Sequence, residues 1–309
     1  MINRNHAAAV AMLILTASWG VAPARGGILY TSDSDNTITA FDTVTHVRTT
    51  FATGLNNPTG LAIDSSGNLY VGNYNANTIE RFTPGGVGSV FASSIAATSG
   101  IAFDASGNLY VAGLNSPIER ITPGGVVSQF AVTMANSGSQ GMAFDKFGNL
   151  YVGDRNNNLI EEFTPGGVGS VFATNPGGIN GLAFDSAGNL YAAITRTGVI
   201  EKYTPAGVGS VFATTSSLSL GGLAFDSSGN LLVPGNFGDV DSPIFEFTPG
   251  GVGTVFAHNT AFGVRYLAFE PTSTDTAVPE PGGGVILCTG LASLAALSWL
   301  KRRKNVVGS

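Results

Sequence analysis

Short apolar runs, separated by turns rich in glycine and proline, recur along most of the chain. The phrase GLAIDSSGNLYVGN, which begins at Gly60, returns in similar form from Gly100, Gly141, Gly181 and Gly222, at steps of 40 or 41 residues. Each copy continues into an isoleucine-containing run, a Thr-Pro turn and a Val-Phe-Ala run. Four short strands in a unit of this length are typical of one blade of a β-propeller.

The two ends of the repeat array complete each other. Residues 28–41 match the second and third strands of a unit but lack a first strand, whereas residues 266–270 supply a first strand with nothing after it. The central Leu-Tyr or Leu-Leu pair occurs in six units. The pattern therefore predicts an all-β fold, a six-bladed β-propeller closed by the C-terminal strand in the first blade.

Two turns recur in the units. In the DSSG turn at residues 64–67, Asp64 is expected to accept backbone N–H bonds while the glycine takes a left-handed conformation. In the TPGG turn at residues 83–86, proline suits the first corner and Gly85 is expected to take a positive φ at the second, as in a type II turn. Because these aspartates recur in the same turn, they are interpreted as scaffold.

Composition excludes some classes of function. Only 11% of the residues are charged, and 43 of the 309 residues are glycine. Residues 25–281 contain nine basic and twenty acidic residues, so no basic stripe is present to bind nucleic acid. The single cysteine, Cys288, excludes an intramolecular disulfide.

The chain ends carry the signatures of export and membrane attachment. Residues 1–24 carry the basic Arg4 near their start, continue with an apolar run and end in a small-x-small site. This order predicts a signal peptide. The propeller is then assigned to residues 25–271 and a linker to residues 272–281. Residues 282–300 are long enough for one transmembrane helix of about 28 Å. The basic tail, residues 301–309, is expected to be cytoplasmic, which places the propeller outside.

The order of these C-terminal parts carries a family resemblance. Pro279, Glu280 and Pro281 precede the apolar span, and Arg302 and Arg303 follow it. This arrangement closely resembles the PEP-CTERM sorting signal of Gram-negative bacteria that make exopolysaccharide. The resemblance implies an exosortase-type processing enzyme as a partner. It also implies export across the inner membrane, membrane anchoring beforehand, and final localisation at the cell surface or outside the cell. A plain C-terminal anchor is the alternative.

The repeat phrase resembles that of NHL-repeat, TolB-like propellers and of the gluconolactonase-like enzymes. The resemblance to gluconolactonases implies a divalent metal over the central channel, held by residues just before the leading glycines. The corresponding positions in this chain are Thr59, Ser99, Gln140, Asn180, Gly221 and Arg265. Only Asn180 matches a family ligand type, so that metal site is not expected. Streptogramin lyases share the architecture and use a histidine base, but His46 and His258 are expected to be surface residues.

Residues that break the internal symmetry are the better candidates for a binding site, because a residue shared by every blade serves the scaffold. The candidates for a ligand-binding face are Asn73, Tyr74, Asn75, Arg155, Asn156, Asn180, Arg196, Asn236, Phe237 and Arg265. Amides, arginines and rings of this kind suit sugar or peptide surfaces. Blades one and six are neighbours, so a calcium site is a further hypothesis, with the ligands Asp33, Asp35, Asp239 and Asp241.

The sequence favours a non-enzymatic binding or scaffold protein of the cell surface or exopolysaccharide matrix, with a polysaccharide or a protein as its ligand. No catalytic residue and no cofactor other than the hypothetical Ca²⁺ is predicted. A divergent gluconolactonase-like, metal-dependent hydrolase is one alternative, based on the fold resemblance alone. A self-associating structural coat component is the other.

Overall fold

A computed structural model of the protein describes residues 27–96, 98–174, 177–235, 242–259 and 263–270. These residues form six four-stranded antiparallel sheets, which are the six blades of a propeller. The described part of the chain contains no helix long and apolar enough to cross a membrane. The predicted signal peptide, linker, transmembrane helix and basic tail, with the sorting residues Pro279, Glu280, Pro281, Arg302 and Arg303, lie outside the described residues.

Each blade runs from an inner strand beside the central channel to an outer strand at the rim. The strands of blades one and two are β1 (Ile28–Asp33), β2 (Ile38–Asp42), β3 (Arg48–Ala52), β4 (Pro58–Ile63), β5 (Leu69–Asn73), β6 (Thr78–Phe82) and β7 (Gly88–Ser93). Those of blades three and four are β8 (Thr98–Phe103), β9 (Leu109–Gly113), β10 (Ile118–Ile121), β11 (Val127–Ala131), β12 (Ser139–Phe144), β13 (Leu150–Asp154), β14 (Leu159–Phe163) and β15 (Gly169–Thr174). Those of blades five and six, with the last strand, are β16 (Ile179–Phe184), β17 (Leu190–Ile194), β18 (Val199–Tyr203), β19 (Gly209–Thr214), β20 (Ala224–Phe225), β21 (Leu231–Pro234), β22 (Ser242–Phe247), β23 (Gly253–Asn259) and β24 (Val264–Glu270).

The hydrophobic core consists of six clusters that lie between neighbouring blades. A tyrosine of the second strand forms the centre of most of them. Tyr110, for example, makes edge-on contacts with Phe130 of its own outer strand and Phe144 of the next inner strand, with ring centroids 4.9 Å apart in both pairs. This geometry is favourable for aromatic pairs. The repeated Leu-Tyr and Val-Phe-Ala phrases therefore encode the packing of one blade against the next.

The last strand of the chain is the inner strand of the first sheet, whose order is β24-β1-β2-β3. Its residues pair antiparallel with β1 from Ile28 opposite Glu270 to Ser32 opposite Tyr266. The prediction of an all-β, six-bladed propeller is confirmed. In blade six the inner strand β20 has only two residues, and Pro234 at the end of β21 has no N–H to donate to it.

The two recurrent turns share one geometry. In the first turn, Asp64 Oδ1 accepts the backbone N–H groups of Ser66 and Asn68, both at 2.9 Å, and Gly67 has φ of 78°. The turn-capping prediction for this aspartate is confirmed. In the TPGG turn, Gly86, and not Gly85, has the positive φ, of 79°. The type II prediction is therefore wrong, because the residue with the left-handed conformation is the fourth residue of the turn, Gly86, and not the third, Gly85.

Candidate functional site

The ring has two different faces. The loops after the second strands and the loops between blades lie on one side, called here the loop face. The Asp-x-x-Gly and Thr-Pro turns lie on the other side, called here the turn face. Most of the predicted binding residues fall on the loop face.

Three buried polar residues occupy the same position, the last residue of the second strand, in different blades. They are Asp33, Asn73 and Asp154. Asn73 was predicted to belong to the ligand-binding face, but it is the last residue of β5 and its side chain is buried. Its Nδ2 donates to Glu80 Oε1 at 2.9 Å, and its Oδ1 accepts the N–H of Asn56 at 3.1 Å. Asn73 therefore holds the loop in place instead of facing a ligand.

Asp154 is the strongest of these anchors, and the sequence did not single it out. Its Oδ1 accepts the backbone N–H groups of Gly138 at 3.0 Å, Asn156 at 2.9 Å and Asn157 at 3.0 Å, and its Oδ2 accepts from Asn157 Nδ2 at 2.7 Å. Burial alone would raise the pKa of Asp154. The hydrogen bonds that its carboxylate accepts, chiefly from Asn157 and Gly138, have the larger combined effect, so the pKa is lowered. The carboxylate thereby fixes two loops at the junction of blades three and four.

Replacement of Asp154 by alanine is expected to lower the free energy of unfolding by about 3 kcal/mol, because buried N–H groups lose a charged acceptor. Asp35 is a matched control, since it accepts one side-chain hydrogen bond, from Thr37, in a half-buried position. Asp35→Ala is expected to cost about 1 kcal/mol or less. Chemical denaturation of both variants measures the difference.

The effect of Asp154 also depends on pH. Because the folded-state pKa is lowered, the stabilisation is present above the ordinary aspartate pKa of about 3.9 and is lost as the pH falls through the folded-state value. The stability gap between wild type and Asp154→Ala is therefore expected to shrink below about pH 4. A gap of equal size at pH 7 and at pH 3 would contradict this account.

Other predicted loop residues are accessible and are held by backbone contacts. Tyr74 and Arg155 are half-buried, whereas Asn75, Asn156 and Arg196 are exposed. The backbone N–H of Arg155 donates to Gly138 O at 3.2 Å, and Asn156 Nδ2 donates to Asn136 O at 2.9 Å. These side chains therefore extend from loops of defined conformation. Asn236 and Phe237 lie outside the described residues.

Two arginines lie on the loop face near the central channel. Arg265 is the second residue of β24, next to Tyr266, which lines the channel, and its Nη1 donates to Asn57 Oδ1. Arg155 follows β13, and its stem lies beside Gly178, just before the inner strand β16. Burial raises the pKa of Tyr266, and the two guanidinium groups oppose that rise. Because burial also lowers the pKa of Arg265, the mouth holds a positive charge that is incompletely hydrated.

Asn180 lies beside this mouth and is only 3% exposed. Its Nδ2 donates to Leu220 O at 2.7 Å, while its Oδ1 has no hydrogen-bond partner in the described part of the chain. A buried amide oxygen of this kind is costly unless a donor reaches it. The loop face therefore combines two arginines with one buried acceptor that has no hydrogen-bond partner within the described residues.

Two of the four hypothetical calcium ligands, Asp33 and Asp35, belong to the described residues. Asp33 is fully buried, and its carboxylate accepts the hydroxyls of Thr31 at 2.9 Å and Thr39 at 2.5 Å. Asp35 accepts from Thr37 at 2.6 Å. Asp239 and Asp241 lie outside the described residues. Within the described ranges no three His, Cys, Asp or Glu side chains are grouped as a metal site.

The two histidines of the described residues lie on the surface. His46 and His258 are both exposed, and the ring of His46 contacts that of Phe256 at 4.5 Å. Among the recurrent glutamates, Glu161 is the buried one, and its Oε1 accepts the N–H of Met134 at 3.0 Å. Burial raises the pKa of Glu161 in spite of that hydrogen bond. Its position in the third strand gave no sequence signal that separates it from Glu80, Glu119 and Glu201, the half-buried glutamates at the equivalent positions of other blades.

Comparison with known proteins supports the fold. The NHL repeat profile matches residues 55–82, and no curated protein sequence matches the chain significantly. A streptogramin B lyase structure has 16% identity and a TM-score of 0.60, with 74% of this chain and 78% of that chain covered. A chain of a nidogen/laminin complex has 18% identity and a TM-score of 0.68, with coverages of 79% and 98%. A catalytically inactive virginiamycin B lyase from Staphylococcus aureus with quinupristin has 17% identity and a TM-score of 0.59, with coverages of 81% and 94%.

At these identities the structural similarity establishes the fold alone. The predicted NHL repeat and the six-bladed architecture are confirmed. The similar structures include both lyases and a component of a nidogen/laminin complex, so the fold is compatible with catalysis and with binding.

Proposed function

We propose that the chain is a non-enzymatic binding protein whose loop face recognises carboxylate-bearing groups of a polysaccharide or of another protein. The observation that carries the proposal is the placement of two arginines on the loop face: Arg265, half-buried in β24 next to the channel-lining Tyr266, and Arg155, whose stem lies beside Gly178 just before β16. Guanidinium groups bind carboxylates through paired hydrogen bonds, which suits an acidic sugar or an acidic side chain. Burial lowers the pKa of Arg265, and a bound anion would oppose that effect because it stabilises the charged guanidinium.

The surroundings of the mouth support recognition of a hydroxylated ligand. The buried Oδ1 of Asn180 is an acceptor that a sugar hydroxyl can satisfy. Tyr74, Asn75, Asn156 and Arg196 add rings, amides and a further cation on the same face. Because Asp154 fixes the loops before any ligand arrives, less conformational entropy is lost on binding.

A metal-dependent hydrolase of the gluconolactonase type remains the enzymatic alternative. Its metal would lie where Arg155 and Arg265 place positive charge, and like charges raise the cost of binding a divalent cation there. Asn180, the one matching ligand type, already uses its Nδ2 for Leu220. Both observations favour binding over hydrolysis.

A self-associating coat is a second candidate, favoured by the outer strands. The outer strands β7, β15, β19 and β23 each contain a Val-Phe-Ala phrase whose valine is exposed. These valines are Val90, Val171, Val211 and Val255. None of these four strands contains a proline, an aspartate, a glutamate, a lysine or an arginine. Uncharged edge strands of this kind are prone to pair with other chains.

Export and sorting complete the proposal. Residues 1–24 would direct the chain across the inner membrane, and residues 282–300 would anchor it until an exosortase-type enzyme acts near Pro279, Glu280 and Pro281. The propeller, residues 25–271, would then be displayed at the cell surface or in the exopolysaccharide matrix. Cell fractionation tests this part, and a chain retained in the cytoplasm would contradict it.

The binding proposal predicts a charge-dependent ligand. The purified chain is expected to bind oligogalacturonate, in which every sugar carries a carboxylate, more tightly than a neutral galactose oligomer of equal length. Arg155→Gln is expected to weaken that binding about tenfold, which corresponds to the loss of one good charged contact. Titration calorimetry measures both ligands. Arg48→Gln, an equal change of charge on the outer strand β3, is the matched control.

Other outcomes would contradict the binding proposal or favour a different function. Equal binding of both oligomers, or equal losses in Arg155→Gln and Arg48→Gln, would contradict a specific site at the channel mouth. Lactone hydrolysis that requires a divalent metal and is lost in Asn180→Ala would establish the hydrolase instead. Concentration-dependent association of the ligand-free chain in sedimentation, without glycan binding, would favour the coat.

A further inference from the structure

The turn face contains a cavity that the proposed function does not use. It lies between blades four and five and has a volume of about 670 Å³, and its lining includes five aromatic side chains, among them Phe147, Phe172 and Phe184. Phe147 is 74% exposed and occupies the position of a serine or alanine in the corresponding turns of the other blades, Ser66, Ser106, Ala187 and Ser228. An exposed aromatic residue at a cavity is a feature of blade four alone among these turns.

Three other blades carry a cation beside the equivalent tyrosine. On the third strand, Arg81 is opposite Tyr70, Arg120 is opposite Tyr110, and Lys202 is opposite Tyr191. In blade five, Lys202 Nζ lies 5.0 Å from the centre of the Tyr191 ring and 3.4 Å from Asp185 Oδ2. The fold therefore provides a position in which a cation contacts a tyrosine ring and the aspartate of the neighbouring turn.

Blade four has the same tyrosine and aspartate but not the cation. Glu162 is opposite Tyr151, and its Oε1 accepts the tyrosine hydroxyl at 2.9 Å. Asp145, the turn aspartate, also lines the cavity. Among the described residues, neither carboxylate has an ion pair, and the nearby Lys146 lies over the Phe147 ring, 5.1 Å from its centre. Asp185, on the far wall, is already paired with Lys202.

Blade six shows that a glutamate at this position is not sufficient. Glu246 occupies the place of Glu162, but Leu232 replaces the tyrosine and Ser228 replaces Phe147. Asn230 Nδ2 donates to Glu246 Oε1 at 3.1 Å, so that carboxylate has a partner within its own blade. Phe256 and Phe269 also line the cavity at Glu246, so blade six offers a carboxylate beside phenylalanines but without the tyrosine and without an aromatic residue on its turn, and serves as an internal control.

We propose that the cavity between blades four and five binds an arginine or lysine side chain presented by a partner protein. The cation would take the place that Lys202 has in blade five, against the Tyr151 ring and between the carboxylates of Asp145 and Glu162. The exposed ring of Phe147 would cover the aliphatic stem of that side chain. The site lies on the turn face, so it is independent of the anion-binding loop face.

The test uses two probes that differ in charge alone. Acetyl-leucyl-arginine amide and its citrulline analogue have nearly the same shape, but only the first carries a cation. The full-length chain is expected to bind the arginine probe at least about tenfold more tightly, as measured by titration calorimetry or NMR. Equal affinities for the two probes would overturn the proposal.

Variants locate the binding. Glu162→Lys places a cation inside the blade, as Lys202 does in blade five, and is expected to abolish probe binding while the chain still folds. Phe147→Ser restores the residue of the other turns and is expected to weaken binding about threefold or more. Glu162→Gln removes one negative charge from the cavity and is expected to weaken binding, whereas Glu246→Gln removes an equal charge in blade six and is expected to leave the affinity unchanged.

Loss of binding in Glu246→Gln equal to that in Glu162→Gln would show nonspecific attraction to an acidic protein and would refute the site. Unchanged binding in Glu162→Lys would refute it as well. The same variants are expected to bind oligogalacturonate like the wild type, because the channel mouth is on the opposite face. Failure of the cavity site and failure of the loop-face proposal are therefore distinguishable.

Discussion

A chain that ends at Gly263, and so lacks β24, is expected not to form a stable ring. In the complete ring β24 buries Val264, Tyr266 and Leu267 and supplies the inner partner of β1 along its whole length. Burial of each large apolar side chain stabilises by about 1.5–3 kcal/mol, and the sum approaches the 5–15 kcal/mol that is typical of a whole domain. Loss of the strand also exposes the inner edge of β1, which favours aggregation.

The control for this truncation is a chain that ends at Pro271 and keeps β24. Thermal unfolding followed by circular dichroism is expected to show a cooperative transition for the control and none for the shorter chain. A synthetic peptide with the sequence of residues 264–270 is expected to restore part of the transition when added to the shorter chain. A cooperative transition of the shorter chain at the temperature of the control would contradict the proposed role of β24.

Replacement of Gly100 by alanine is expected to be among the most damaging single substitutions in the ring. A Cβ at this position would lie 2.0 Å from the carbonyl oxygen of Gln140, on the inner strand of the next blade. The contact is with backbone, which cannot rotate away, so the two inner strands would have to separate. We expect a loss of about 3 kcal/mol in the free energy of unfolding, in the range of severe overpacking.

Gly124, in a turn of the same blade, is the matched control. A Cβ there would meet no atom closer than Thr122 Oγ1 at 3.8 Å. Gly124→Ala is expected to change the free energy of unfolding by less than about 1 kcal/mol, since only the freedom of the unfolded chain is reduced. Urea denaturation of both variants measures the contrast. Similar losses in the two would show that close packing of the inner strands does not account for the glycine.

The ring itself was predictable because its information is local and repeated. Five of the six units carry the Leu-Tyr pair, the sixth has Leu-Leu, and these pairs recur at steps of 40 or 41 residues. The position of left-handed φ within the TPGG turn was not predictable, because Gly85 and Gly86 are chemically identical. The choice between them depends on how the turn joins the strands.

The candidate site was only partly predictable because burial changes from one residue to the next. Asn73 and Asn75 belong to one polar run, but Asn73 ends a buried strand while Asn75 is exposed. Arg155 and Arg265 are far apart in the sequence, and only the closed ring places both on the loop face, Arg155 beside Gly178 and Arg265 beside Asn57. Asp154 resembles a solvated loop residue until its three backbone donors are known.

The pairing of Ile28 with Glu270 has a mechanical consequence. The two ends of the described ring leave from one end of the antiparallel pair of β1 and β24. A force that pulled these ends apart would load the pair as a zipper and break its hydrogen bonds one after another, which requires less force than sliding whole strands past each other. A chain held through its C-terminal side alone transmits no such tension across the pair. Attachment at a single end would therefore apply no force between β1 and β24, the pair that opens most easily, under flow or shear.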